Sequence, residues 1–152
     1  MENWFTVPFQ KLIHTKLQVR LVDLLREPAT GKGVVGMGAP FRPFPEYELW
    51  CADLAFVPQA RWDGVDMEGW LRGSPELVIE IQSRSNTAEQ SEDKEITCLQ
   101  GGAEEFWVVY PKLQKIRVAA GGAVRRYGAG DVIPVSVFPG FSLPIAAIFE
   151  GI

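Results

Sequence analysis

The chain has 152 residues, 47% of them apolar and 22% charged, and a formal net charge of −4. That length suits a single domain with a real core, and the balance is that of a globular protein rather than a disordered one. The acidic total excludes attraction to a phosphate backbone by bulk charge, so any nucleic-acid contact requires a local basic patch, a bound cation or a partner.

Cys51 and Cys98 are isolated thiols without metal-ligand spacing, and the opening residues lack the pattern of a signal peptide. No apolar run approaches the roughly 20 residues needed to span a bilayer. A cytoplasmic protein without membrane association is expected. Residues 1–152 read as one domain, with 1–10 as a flexible arm.

Lys11 to Arg26 predicts an amphipathic helix, because Leu12, Ile13, Leu17, Leu21, Leu24 and Leu25 recur near helical spacing and Glu27-Pro28 follows as a stop. His14, the only histidine, lies on it; with no second histidine to build a zinc site, it is kept as a neighbour of any site nearby. The glycine- and proline-rich stretch GKGVVGMGAPFRPFP lacks the spacing and the Lys-Ser/Thr ending of a phosphate loop. It reads instead as a turn and a first strand from Val34 to Phe41.

A second strand is expected from Trp50 to Val57, with Leu54 and Phe56 on one face and Asp53, Ala55 and Val57 on the other. One aspartate in a half-buried strand, taken alone, is usually a structural acid bonded to backbone amides. Pro58 to Ser74 reads as a loop packed over the core; its Arg61, Trp62, Trp70 and Arg72 also suit stacking on bases. The strand Glu76–Ser83 places Leu77, Ile79 and Ile81 on one face and Val78, Glu80 and Gln82 on the other. A carboxylate in so apolar a run is costly to bury unless something uses it.

A helix over Ala88–Gln100 follows, entered through Arg84–Thr87, capped by Thr87 with Gln90 or by Ser85, stopped by Gly101-Gly102, and turning Ile96 and Leu99 to the core, with Cys98 as a further candidate there. Lys94 lies on it. Phe106–Tyr110 reads as a buried strand, and Lys115–Ala120 and Ala123–Tyr127 as a hairpin about Gly121-Gly122. The tail FPGFSLPIAAIFEGI predicts a last strand and turn covering one edge, with Phe138, Phe141, Leu143 and Ile148 packed away from water.

A cation that hydrolyses phosphodiesters takes oxygen ligands from acids, a backbone carbonyl and water. If the strands holding Asp53 and Glu80 are neighbours, both carboxylates reach one Mg²⁺ or Mn²⁺, with the backbone carbonyl of Ile81 as a third donor. Lys94 can then orient water or offset transition-state charge. Gln82 shares the face of Glu80 and stands beside the site.

Asp53 in CADLAFVP, Glu80 in PELVIEIQSRS, Lys94 in SEDKEITCLQGGAEEFWVVYP and the closing FPGFSLPIAAIF resemble the Uma family of putative restriction endonucleases, within the PD-(D/E)xK nuclease superfamily. The resemblance runs from about Lys11 to the end. It implies an α/β, restriction-endonuclease-like core: a central mixed sheet flanked by helices, here with a C-terminal β-hairpin. It also implies a Mg²⁺-dependent endonuclease acting on DNA. The family's Pro-Asp is Ala52-Asp53 here. Gln82 occupies the superfamily's usual lysine position, so the basic role passes to Lys94 on the following helix. Leu99 and Gln100 stand where the family has a tyrosine, and the acidic segment before the first helix, a source of another ligand, is missing. A homodimer is expected, since cutting both strands of a duplex takes two sites. The competing reading, supported by the acidic charge and the lost proline, is an inactive nuclease-fold module acting in dimerisation or DNA-associated protein interaction.

Overall fold

The computed structural model describes residues 11–83 and 87–152; the expected N-terminal arm and the 84–86 part of the helix entry, with its alternative cap, lie outside the described residues. Helix α1 (Leu12–Ala29) leads to strands β1 (Gly33–Gly36), β2 (Pro40–Arg42), β3 (Trp50–Cys51) and β4 (Leu54–Pro58), then α2 (Gln59–Asp63), β5 (Leu71–Arg72) and β6 (Leu77–Ile81). Helix α3 (Ala88–Gln100) is followed by β7 (Glu105–Tyr110), β8 (Lys115–Ala120), β9 (Ala123–Tyr127), β10 (Val132–Pro134), β11 (Ser142–Pro144) and α4 (Ile145–Phe149).

The central sheet is mixed, in the order β1-β4-β6-β7-β8-β9. Its one parallel pair, β6 and β7, is the pair joined through α3, because parallel neighbours need a crossover while antiparallel ones need only a turn. The alternation expected of the strands holds. Leu54, Phe56, Leu77, Ile79, Ile81 and Trp107 share one core with α1 and α4, while Ala55, Val57, Val78, Phe106 and Val108 share another with Cys98 of α3 and Phe41 of β2. Helices therefore cover both faces, as the resemblance implies.

The boundaries differ in instructive ways. Helix α1 runs past Pro28 to Ala29, because a proline in the last turn forfeits one hydrogen bond and Thr30 closes the end onto the carbonyls of Arg26 and Glu27. The strand expected from Val34 to Phe41 is two strands in different sheets. Between them Gly38 adopts φ +67° and donates its amide to Ala52, a turn that a Cβ would strain. The strand expected from Trp50 to Val57 is likewise broken at Ala52-Asp53: β3 joins β2 and β5 in a small three-stranded sheet, and β4 joins the central one. The loop from Pro58 to Ser74 contains α2 and β5, braced by Arg61, which pairs with Glu76 and donates to the carbonyls of Arg72 and Ser74.

On α3 the buried residues are Glu95, Thr97 and Cys98, and Ile96 is exposed, contrary to its expected place in the core. The ion pair between Glu95 and Arg117 of β8 fixes the inner face of the helix, which leaves Ile96 outside it. The tail forms the β10–β11 ribbon and α4, and it packs on the α1 face rather than along an edge. Phe138, Leu143 and Ile148 are buried there, Phe141 is partly so, and Arg20 of α1 holds the carbonyls of Ala147 and Ile148. Among the described residues no helix is long and apolar enough to cross a membrane.

Candidate functional site

Asp53 sits at the break where the chain leaves the small sheet and enters the central one. The pairing of Leu54 with Ile79, extended by one residue, sets Asp53 opposite Glu80 and on the same face. Its Oδ2 accepts the Ile81 amide at 2.7 Å and lies 3.3 Å from His14 Nε2. One turn further along α1, Gln18 donates to the main-chain carbonyl of Asp53 at 3.1 Å. The acid is thus bonded to a backbone amide, as a structural aspartate would be, and at the same time borders an open cleft.

Glu80 is inside the sheet, 9% exposed, with its carboxyl within hydrogen-bonding reach of Asp53. Lys94 reaches it from α3, Nζ to Oε1 at 2.6 Å, and passes 5.6 Å from the ring of Trp50. Lys94 thus pairs across to the sheet and not along its own helix. Burial pushes the Glu80 carboxyl up to about 8; Lys94 pulls the other way, and the neighbouring Asp53 charge adds to the rise. A cation bound there would displace a proton.

The cleft has a volume of about 240 Å³ and is lined by His14, Asp53, Glu80, Ile81 and Lys94. Gln82, expected beside the site, is not in its lining: its main-chain amide donates to the Val109 carbonyl, and the next residue, Ser83, lines the cleft. Sequence reading missed Cys51, Gln90 and Ser91, which also line it. The signals were present, since Cys51 is two residues before Asp53, and Gln90 and Ser91 are one helical turn before Lys94.

The donors suit a hard cation. An N–H and C=O of one strand residue point the same way, so the Ile81 carbonyl faces the side on which its amide meets Asp53. Two carboxylates and one carbonyl leave room for water and substrate oxygens, as Mg²⁺ prefers. Among the described residues no group of three or more His, Cys, Asp or Glu side chains is placed to hold a metal by itself, so a cation here would need the carbonyl beside the two carboxylates.

A crystal structure at 1.96 Å resolution of a putative nuclease belonging to DUF820, from Anabaena variabilis, superposes with a TM-score of 0.80. The two are 17% identical, and the match covers 94% of this chain and 83% of that one, a likeness of fold. No curated protein matches the chain. Residues 3–146 match the Uma2 family, described as putative restriction endonuclease, and the chain belongs to that family.

Proposed function

We propose that the protein is a Mg²⁺- or Mn²⁺-dependent endonuclease that hydrolyses DNA phosphodiesters in this cleft. The observation that carries the reading is the convergence of three side chains on one point: Asp53 at the entry to β4, Glu80 from β6 and Lys94 from α3, the last 2.6 Å from Glu80. Asp53, Glu80 and the Ile81 carbonyl would hold the cation. When bound, it supplies Lewis-acid polarisation of the phosphoryl oxygen and a water acidic enough to attack near neutral pH.

The chain's own residues do the rest. His14, Gln18 and the Ile81 amide hold Asp53 in one orientation, so its second carboxylate oxygen is presented without conformational search. Lys94 is held beside Glu80 at rest and offers an ammonium to the charge that grows on the phosphoryl group. Trp50 limits where that ammonium can swing.

The test pairs Mn²⁺ binding by calorimetry with cleavage of plasmid DNA and of RNA. Lys94→Ala is expected to lower cleavage about 10²–10³-fold, the usual loss for a transition-state charge donor, and to leave the Mn²⁺ Kd within about threefold. Glu80→Gln and Asp53→Asn should lose Mn²⁺ binding as well. Wild type that binds no Mn²⁺ and cuts neither substrate would leave the inactive-module reading standing. RNA cut in preference to DNA would reassign the substrate.

A further inference from the structure

We infer that the α3-side face of β8 and β9 is a track for the phosphate backbone of the DNA strand that enters the cleft. The inference rests on the nuclease reading above and extends it to how an acidic protein engages an acidic polymer. Between Glu105 and Asp131 the sequence has no acid, yet it carries Lys112, Lys115, Arg117, Arg125 and Arg126, against a net charge of −4 for the whole chain. Positive charge is therefore concentrated in one hairpin.

The register decides where it points. Glu80 pairs with Val108, Val108 with Arg117, and Arg117 with Arg126. Directly opposed residues share a face, so one row across four strands runs from the candidate metal ligand to Arg126; its middle, at Val108 and Arg117, lies under α3, and the open positions on that face are Lys115 and Arg126. Lys115, two residues before Arg117, is on that face too, opposite Tyr110 at the end of the sheet where β6 delivers Glu80. Arg125 pairs with Val118 and is turned to the other face.

Arg117 is committed to Glu95. Lys115 and Arg126 are exposed, and neither is in a salt bridge among the described residues. Three strand spacings place Arg126 about 14 Å from Glu80, a reach of about four nucleotides of one strand at 3.4 Å rise each. Charge complementarity thus favours a nucleic-acid backbone. The structural alternative is that arginines on an edge strand merely prevent edge-to-edge association; it accounts for charge on β9 but not for Lys115, which lies on the inner strand β8.

The experiment measures binding of a labelled DNA duplex by fluorescence anisotropy in EDTA, over 50–200 mM salt, so that it does not depend on the metal site. The double variant Lys115→Gln/Arg126→Gln should weaken binding about tenfold or more and lower the slope of log K against log salt by about 2, one contact for each charge removed. Arg125→Gln, the same charge loss on the opposite face, should stay within about threefold of wild type. Equal losses in the two variants would mean bulk charge rather than a track, and would overturn the inference. So would a double variant that binds like wild type, with or without self-association by light scattering, or wild type that binds no duplex. Mn²⁺ binding by the same wild-type protein tests the cleft separately, so a failed track and a failed metal site are told apart.

Discussion

Two glutamates of the central sheet are buried, and their surroundings give them different work. Glu80 meets a lysine and an aspartate beside a cleft. Glu105, fully buried at the start of β7, accepts from the Val137 amide at 3.2 Å and the Trp107 indole at 3.4 Å, and so ties the loop before β11 to the sheet. Burial raises its pKa; the amides of Val137 and Ser136 and the indole pull it down, and Glu104 adds to the rise. A carboxyl raised on folding stabilises fully below its unfolded value, near about 4.3, and that contribution fades as pH climbs through the folded value. The Tm advantage of wild type over Glu105→Gln should therefore shrink as pH rises above about 4.3. An advantage that grows with pH would mean the hydrogen bonds outweigh burial. Alternation marked Glu80 as anomalous in the sequence alone. Whether Lys94 would reach it was not legible, since that depends on how α3 crosses the sheet.

At the scale of elements, the legible features are those whose causes are local. Helix α3 begins at the Thr87–Gln90 capping box, with Gln90 N donating to Thr87 Oγ1 at 3.1 Å and Thr87 N to Gln90 Oε1 at 3.0 Å. Thr87→Ala should cost about 1 kcal/mol in chemical denaturation. The far end is set by close approach: a Cβ on Gly101 would lie 2.6 Å from Ser74 Oγ and 2.8 Å from the Pro43 carbonyl. Gly101→Ala should cost about 1–3 kcal/mol, as overpacking does, and should lower nuclease activity by shifting the helix that carries Lys94. An unchanged Tm would show that the small sheet yields at no cost. The hairpin at Gly121-Gly122 was legible because glycines at φ +58° and +77° favour a two-residue connection. The split at Ala52-Asp53 was not. It arises because β2, which also pairs with the sequence-distant β5, captures β3 in a second sheet.

For the molecule as a whole, the expected mixed sheet with helices on both faces is the fold, whereas the tail's destination depended on long-range packing. Phe138 packs on Phe56 at 4.7 Å between ring centroids and is fully buried, so Phe138→Ala should cost about 3–5 kcal/mol. A loss below about 1 kcal/mol would show that the ribbon contributes little to the core. Assembly belongs at this scale too. If two clefts act together on a duplex, light scattering should give a dimer at assay concentrations, and a monomer throughout would assign each cut to one cleft.

The stitching of α4 onto α1 also has a meaning for biosynthesis. Residues 132–149 fill the core against the helix that carries His14, and Arg20 of that helix grips α4. A ribosome has made every cleft residue well before it makes this segment. An incomplete chain lacks the part of the α1 packing that this segment supplies, on the helix whose His14 and Gln18 meet Asp53. The clamp that His14 and Gln18 place on Asp53 would in this way be completed only as residues 132–149 pack against α1.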